Sequence, residues 1–575
     1  MITFGPMTPL VAPRPAPASP RSCRAPARSL ATIATLCAVL ATPSGRLQAQ
    51  GAVGLTDDAI PIPGGWVRFS VGSAWTRYDS RFMDDGTIRG LGDELSTDSL
   101  GPRQFPRLAP IEGALQTLTR TPGQRLTFGR LDVRSDARVV TTPFALEYGI
   151  TRRLTLGVVV PLVQTRRAAQ VRVNQRAAGD TAKTSNIGIL PASRRSETAT
   201  ANANLVAKLA QASTALNALL TRCVQNPAAA ECDPIRGREA DATEAARRAS
   251  EFAGAVAAGY GTTEATAIVA PLAGSALAKS IEAERLALVT KLTAYVPGSI
   301  AGLGTLPTVT TEFSYVDLQG SAGAPGLLQN QFGGGLDSIA TTERIGLGDV
   351  ELRARVLLID HSQRDTLPMR GARVRLAVGG IVRFATSRPD SARDLLDIGT
   401  GEGAGVEVRS ALDVAAGRVG ATVAARFAKS SARTVEVPLV GYPVGGFPYP
   451  EFGEVSRKAG DVFGLDVTPR VFVGDWLAFE GRFGMERTGA PTFSAAESPC
   501  SACVVLDSSI LPTETTVRLI GGGVRYSTVD SYLRGRARYP IEVSFRHLET
   551  ISGDANAPKY FRDQLELRIF YRIRR

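Results

Sequence analysis

The sequence predicts an all-β transmembrane barrel of about twelve antiparallel strands, with an α-helical insertion in one long extracellular loop. Three observations lead there. Apolar residues recur with a period of two along a dozen segments, each close to the 9–11 residues a tilted strand needs to cross a bilayer. The connections between them alternate short and long. The first 49 residues have the make-up of an export signal.

The signal comes first in the chain. Residues 1–56 carry no Asp or Glu, arginines stand at Arg14, Arg21, Arg24 and Arg28, and an apolar run over 30–41 leads into "RLQAQG", which places cleavage near Ala49. That run is about 12 residues, short of the roughly 20 a membrane-spanning helix needs. The expected organisation is then a signal peptide over 1–49, barrel strands 1–3 with long loops over 50–195, a helical insertion over 196–297, a loop over 298–345 and strands 4–12 over 346–575.

Strands are expected near 65–78, 137–149, 154–168, 349–360, 371–385, 404–415, 418–429, 460–473, 476–487, 514–528, 538–549 and 560–573. In the second and third, Phe144, Leu146 and Tyr148 precede the turn Ile150–Arg153, and Leu154, Leu156, Val158, Val160 and Leu162 follow it. Short connections fall at 150–153, 361–370, 416–418, 474–475 and 529–537, and long ones at 79–136, 169–348, 386–403, 430–459, 488–513 and 550–559. An even-stranded bacterial barrel keeps short turns on the periplasmic side and long loops outside, and this order matches. In "LIGGGVRYS" the apolar parity changes between Val517 and Leu519 and Val524 and Tyr526, so a bulge is expected at Gly521–Gly523.

Opposite the apolar face the strands carry charge. The residues so placed are Glu147; Glu351, Arg353 and Arg355; Arg373, Arg375 and Arg383; Glu407 and Arg409, with Asp413; Glu480 and Arg482; Glu542 and Arg546; and Glu566 and Arg568, with Arg572. An Arg or Lys facing lipid at the midplane costs roughly 2–4 kcal/mol, so these side chains are expected to line the lumen. The net charge of +12 is carried mostly by arginine. It fits an anion-attracting surface or pore, although composition alone would also produce it. The arginines are spread along strands rather than gathered with aromatics into one basic patch, so no nucleic-acid partner is expected.

From about 196 to 295 the period becomes helical: Leu205, Leu209, Ala212, Leu216, Leu219 and Cys223 form one stripe, Ala245, Ala249, Phe252 and Val256 a second, and Leu277, Ile281, Leu288 and Leu292 a third. Three alanine-rich helices are expected, as a surface bundle or a lumen plug. Cys223 and Cys232 flank the turn between the first two and are disulfide candidates. Cys500 and Cys503 form a second close pair, read as a small staple because no histidine stands nearby to complete a metal site.

No metal, cofactor or catalytic group is expected. The two histidines, His361 in an expected periplasmic turn and His547 near the outer end of a strand, have no nucleophile motif beside them.

The stretches "EYGITRRLTLGVVVPL" (147–162), "IGLGDVELRARVLL" (345–358), "VTPRVFVGDWLAFEGRF" (467–483) and "YPIEVSFRHLETISG" (539–553) together resemble the outer-membrane channel family associated with aromatic (phenol) meta-cleavage degradation clusters, itself related in architecture to long-chain fatty-acid and toluene transporters. The resemblance spans roughly 137–168 and 345–575. It implies a monomeric barrel in the bacterial outer membrane, surrounded by lipid and taking up small, often hydrophobic molecules. The helical insertion and the closing "FYRIRR" depart from the family pattern. The expected function is passive uptake of small hydrophobic or anionic solutes through the barrel. The alternative is a surface interaction or structural protein whose helical insertion binds a partner.

Overall fold

The computed structural model describes residues 59, 62–175, 185–321, 324–330, 332–333, 335–362, 372–394, 396–438, 452–495, 513–554 and 556–573. The signal segment and the pair Cys500 and Cys503 lie outside the described residues.

Twelve strands build the barrel: β1 (Trp66–Phe82), β2 (Leu131–Gly149), β3 (Leu154–Val173), β4 (Val350–Ser362), β5 (Ala372–Phe384), β6 (Gly405–Ala416), β7 (Val419–Ser430), β8 (Val462–Phe472), β9 (Leu477–Thr488), β10 (Thr515–Ser527), β11 (Ile541–Gly553) and β12 (Pro558–Arg572). Each pairs antiparallel with the next, and β12 returns to β1 from Trp66↔Arg572 to Arg81↔Pro558, so the sheet closes. Closure satisfies every strand edge within the wall, which is what permits a sheet to sit in lipid.

Local chemistry sets the tight end. In the turn after β2, the Thr151 hydroxyl accepts from the amides of Arg153 (3.1 Å) and Leu154 (3.0 Å). Between β6 and β7 the chain reverses at Gly417, whose φ of 59° suits glycine.

The barrel exterior is apolar. Phe144, Leu146, Leu156, Leu162, Leu352, Val382, Phe427, Phe483, Phe545 and Leu565 are all exposed, and Trp476, Tyr526 and Tyr571 gird the tight-turn end. A band of this extent would drive aggregation in water and is the normal surface of a barrel in hydrocarbon. The protein is therefore a bacterial outer-membrane barrel, and the greasy face of the β2–β3 hairpin faces lipid.

Two expectations are corrected. β10 continues in one parity through Gly521–Gly523: these residues stay in register with Leu548, His547 and Arg546, and the irregularity lies at Arg518/Leu519. Val517 and Leu519 are buried on the inner face, so the apparent parity change records inward apolar packing near the outer rim rather than a bulge. The glycines serve close approach: a Cβ on Gly521 would come 2.2 Å from the His547 carbonyl oxygen, and one on Gly523 would come 2.4 Å from that of Phe545. His361 lies in β4, paired with Val374, rather than in a turn.

Outside the barrel stands a helical cap of α1 (Ala109–Thr119), α2 (Ala192–Gln225), α3 (Glu239–Tyr260) and α4 (Ala276–Tyr295). The expected stripes are its interior: Leu209, Leu216, Ala249, Phe252, Val256, Ile281 and Leu292 join one apolar core. Leu131 and Val133 at the outer end of β2 belong to that core, and Val171 and Val173 of β3 pack on it, so the cap is seated against the outer ends of these two strands. Cys223 and Cys232 are joined in a disulfide that ties the end of α2 to the turn before α3. The helix α1 falls in a segment expected to be loop.

Candidate lumen site

Strand alternation sends one face of all twelve strands into the barrel, and that face is charged. The residues it brings together do not stand alone. Arg68 on β1 reaches Glu147 on β2 through its Nε at 2.6 Å. On β4, Arg353 pairs with Glu351 at 2.5 Å; Arg383 on β5 lies 3.5 Å from Glu351 and 3.2 Å from Glu407 on β6, which also holds Arg409. Glu480 on β9 is shared at 2.9 Å by Arg470 of β8 and Arg546 of β11, and Arg470 also lies 3.8 Å from Asp413. Glu542 on β11 takes Arg525 from β10 at 2.5 Å and Arg568 from β12 at 2.9 Å, and Arg568 also meets Glu566 at 2.8 Å. Arg482 meets Asp466 at 2.9 Å, Arg426 meets Glu486, and Arg375 meets Asp360 at 3.2 Å.

Apart from Asp360, which is exposed, these groups are buried or half-buried, and the deepest are fully so: Glu351 is 0% exposed and Arg568 2%. Their burial is tolerable only because each charge has a close partner of opposite sign. Arg355 and Arg373 share the same inner faces and border two open spaces in the lumen. Arg572, at the tight-turn end of β12, is exposed.

Arg68, Arg426, Asp466, Arg470, Glu486 and Arg525 are site members absent from the sequence-based set. All but Glu486, which stands between Met485 and Arg487, alternate with outward apolar neighbours, as Arg68 does between Val67 and Phe69, so the signal was present in the period of two.

A second element narrows the lumen. The long connection from β5 to β6 folds inward. Asp349, directly before β4, accepts the amides of Ser387 (3.1 Å) and Gly403 (2.8 Å), while Thr400 donates to the Leu347 carbonyl at 3.0 Å and Thr165, inward on β3, donates to that of Ile398 at 3.2 Å. Leu396 near the tip enters the core of the cap. Glu402 is drawn down to Arg383 at 3.3 Å. Burial pushes the Glu402 carboxyl above the usual carboxylate range, against the opposing pull of Arg383.

The two spaces lie at different depths on this wall. One, of about 510 Å³, touches Glu147, Gly157, Arg353, Arg355, Gly379 and Arg409 at mid-barrel. The other, of about 850 Å³, lies at the tight-turn end between Arg373, Arg375, Asp413, Arg470, Trp476 and Arg525. Between them sits Ala59: it packs on Leu357, Ala377 and Ala411, and its amide donates to Asp413 at 2.8 Å. Ala59 thus lies in the lumen toward the tight-turn end, between the two spaces.

No family model matches the chain, and comparison with curated proteins finds no match. Solved structures with a similar arrangement include an outer membrane channel from Pseudomonas putida F1, at 9% identity over 90% of this chain and 99% of that chain with a TM-score of 0.38. The Ralstonia pickettii toluene transporter TbuX matches at 9% identity over 90% and 91% with a TM-score of 0.24, and a Pseudomonas aeruginosa FadL homologue at 9% over 88% and 90%, also with a TM-score of 0.24.

Proposed function

We propose that the protein is a gated outer-membrane channel for passive uptake of small solutes bearing a negative charge. The observation that carries this is the pair of open spaces on the inner wall, each bordered by more guanidinium groups than carboxylates. At mid-barrel Arg353, Arg355 and Arg409 face Glu147. At the tight-turn end Arg373, Arg375, Arg470 and Arg525 face Asp413, Asp475 and Asp530. Low-dielectric walls focus that excess on whatever passes between. The inward loop and Ala59 act as outer and inner gates: the loop is tied to the wall by the two amides that Asp349 accepts, and Ala59 is held by the hydrogen bond from its amide to Asp413.

Purified protein in a planar bilayer under a salt gradient tests the reading. The expected reversal potential favours anions, and Asp349→Ala, which frees the loop from the wall, raises conductance. Cation preference, or silence of both the wild type and the variant, overturns it.

A further inference from the structure

The outer face of the barrel changes from uncharged to charged at one level on three consecutive strands, and the first charged residue is an arginine each time. On β1 the outward series runs Val71, Ser73, Trp75, then Arg77; on β2 Leu146, Phe144, Thr142, Val140, then Arg138; on β3 Val160, Leu162, Gln164, then Arg166. The three are directly opposite one another: Arg77 pairs with Arg138, and Arg138 with Arg166. All three are exposed. None has an ion pair or side-chain hydrogen bond with a described residue. On the next strand Lys559 is the first cation beyond the lipid-facing Phe561, one step diagonally from Arg77.

Like charges directly opposite on a sheet repel, and opposite positions are only about 4.5–5.5 Å apart at Cβ. Three such cations in a row, just beyond the hydrocarbon band, are stabilised by an anion that sits between them. The nearby outward carboxylates are engaged or stand at the margins: Asp563, opposite Trp75 and so diagonal to Arg77, is held by His547 at 2.8 Å, Glu343 lies beside Arg166 but already accepts the Gln164 amide at 2.7 Å, and Asp79 and Asp136 lie two residues further out on their strands. Guanidinium groups suit phosphate because they donate in bidentate pairs. The level matters as much as the charge, since a lipid whose chains lie along Phe144 and Leu162 presents its headgroup at this row.

We propose that Arg77, Arg138 and Arg166 form a binding site for the phosphate of a phosphorylated glycolipid in the outer leaflet. The inference rests on the long-loop end facing outward, but not on what the lumen carries. The site anchors one lipid against the β1–β3 wall, directly beneath the cap.

The test is native mass spectrometry of the full chain, titrated in detergent with diphosphorylated lipid A and with the same lipid stripped of phosphate. Wild type is expected to retain the phosphorylated form, and Arg77→Ser/Arg138→Ser/Arg166→Ser to bind it at least about tenfold more weakly while keeping heat-modifiable gel migration and wild-type conductance. Arg138→Ser alone removes the middle of the row and shows the same weakening at smaller amplitude if the triple variant does not fold. Equal binding of the dephosphorylated lipid, or undiminished binding by the variants, overturns the site. Displacement of the lipid by excess inorganic phosphate overturns its assignment to a lipid headgroup. An epitope inserted at Gly237, in the exposed turn before α3, and read by antibody on intact cells checks the orientation separately.

Discussion

The barrel and its cap solve the burial problem in opposite ways. In the cap, Phe252, Leu209, Leu216 and Ala249 are fully buried, and Arg222, Glu231 and Arg247 stay at the surface. In the barrel the order is inverted: Phe144 and Leu352 are exposed while Glu351, Glu480 and Arg568 are buried. Both follow from the solvent on the outer side. The cap stands in water and gains by hiding apolar area, at about 25 cal/mol per Å². The barrel stands in hydrocarbon, where apolar surface costs nothing to expose and charge must go inward. Its interior is therefore held by ion pairs whose value is mostly the penalty of breaking them, and one wall of the molecule is specified by sign and register rather than by volume.

Breaking one partner on each side tests this contrast. Glu480→Ala leaves Arg470 and Arg546 buried without their shared carboxylate, and the expected loss is about 3–5 kcal/mol of barrel stability, read as a lowered urea midpoint for the folded, fast-migrating gel band. Replacing Glu480, Arg470 and Arg546 together with apolar residues of similar size should recover most of it, an outcome that size-matching alone would not produce. In the cap, Phe252→Ala is expected to cost a similar 3–5 kcal/mol, but as a cavity. The signature differs: protease should now cut within 192–300 while the barrel band keeps its midpoint. If Phe252→Ala unfolds the barrel as well, the two regions are not separate cooperative units. Loss of the Cys223–Cys232 disulfide, which closes a loop of 9 residues, should weaken the same cap by about 2–3 kcal/mol.

How much of this could be read from the chain also divides along that line. All twelve strands were legible, because lipid selects a strict period of two on the outer face, and so were the three long stripes of α2, α3 and α4. The membership of the inner ion pairs was half legible for the same reason, since inward parity can be read off a strand. Its pairing could not be: that Glu480 lies between Arg470 and Arg546 depends on three strands and their register. Where inner residues are themselves apolar, as with Val517 and Leu519, periodicity cannot tell burial under a rim from exposure to lipid, and the misplaced bulge followed. The helix α1 carried a stripe, Ile111, Ala114, Leu115 and Leu118, that eleven residues containing Pro110 and Gly113 disguised. The inward loop had no local signal, because its anchor Asp349 is 38 residues from Ser387 and 54 from Gly403.

Acidity probes the boundary between the two regions, where Glu402 of the loop meets Arg383 of the wall. The Glu402 carboxyl titrates above its ordinary value of 4.5 in the seated loop because of burial, so the seated state binds the proton more tightly than the released state does. Seating is therefore favoured below the ordinary value and weakens as pH rises through the raised one. Conductance should be lower in acid and rise toward neutrality, and Glu402→Gln should hold it at the low level at every pH. A pH profile unchanged by the substitution would sink the assignment.

The smallest effect belongs to the cap's own surface. Asp241 on α3 accepts from Lys291 at 2.5 Å and from the Tyr295 hydroxyl at 2.7 Å on α4, and those two hydrogen bonds hold its carboxyl below the usual carboxylate range. All of this lies in water, where side-chain entropy and salt offset the attraction, so Asp241→Asn should cost less than about 1 kcal/mol. The sign follows from the lowered pKa: the contribution is present above the ordinary Asp value of 3.8 and fades only as pH falls below it, far from the window in which Glu402 acts. A shift in protease sensitivity of α3 and α4 below that pH, absent in Asp241→Asn, checks it. If this exposed pair proved as costly to break as the buried one at Glu480, then position relative to the membrane would not be what sets the strength of charge in this molecule.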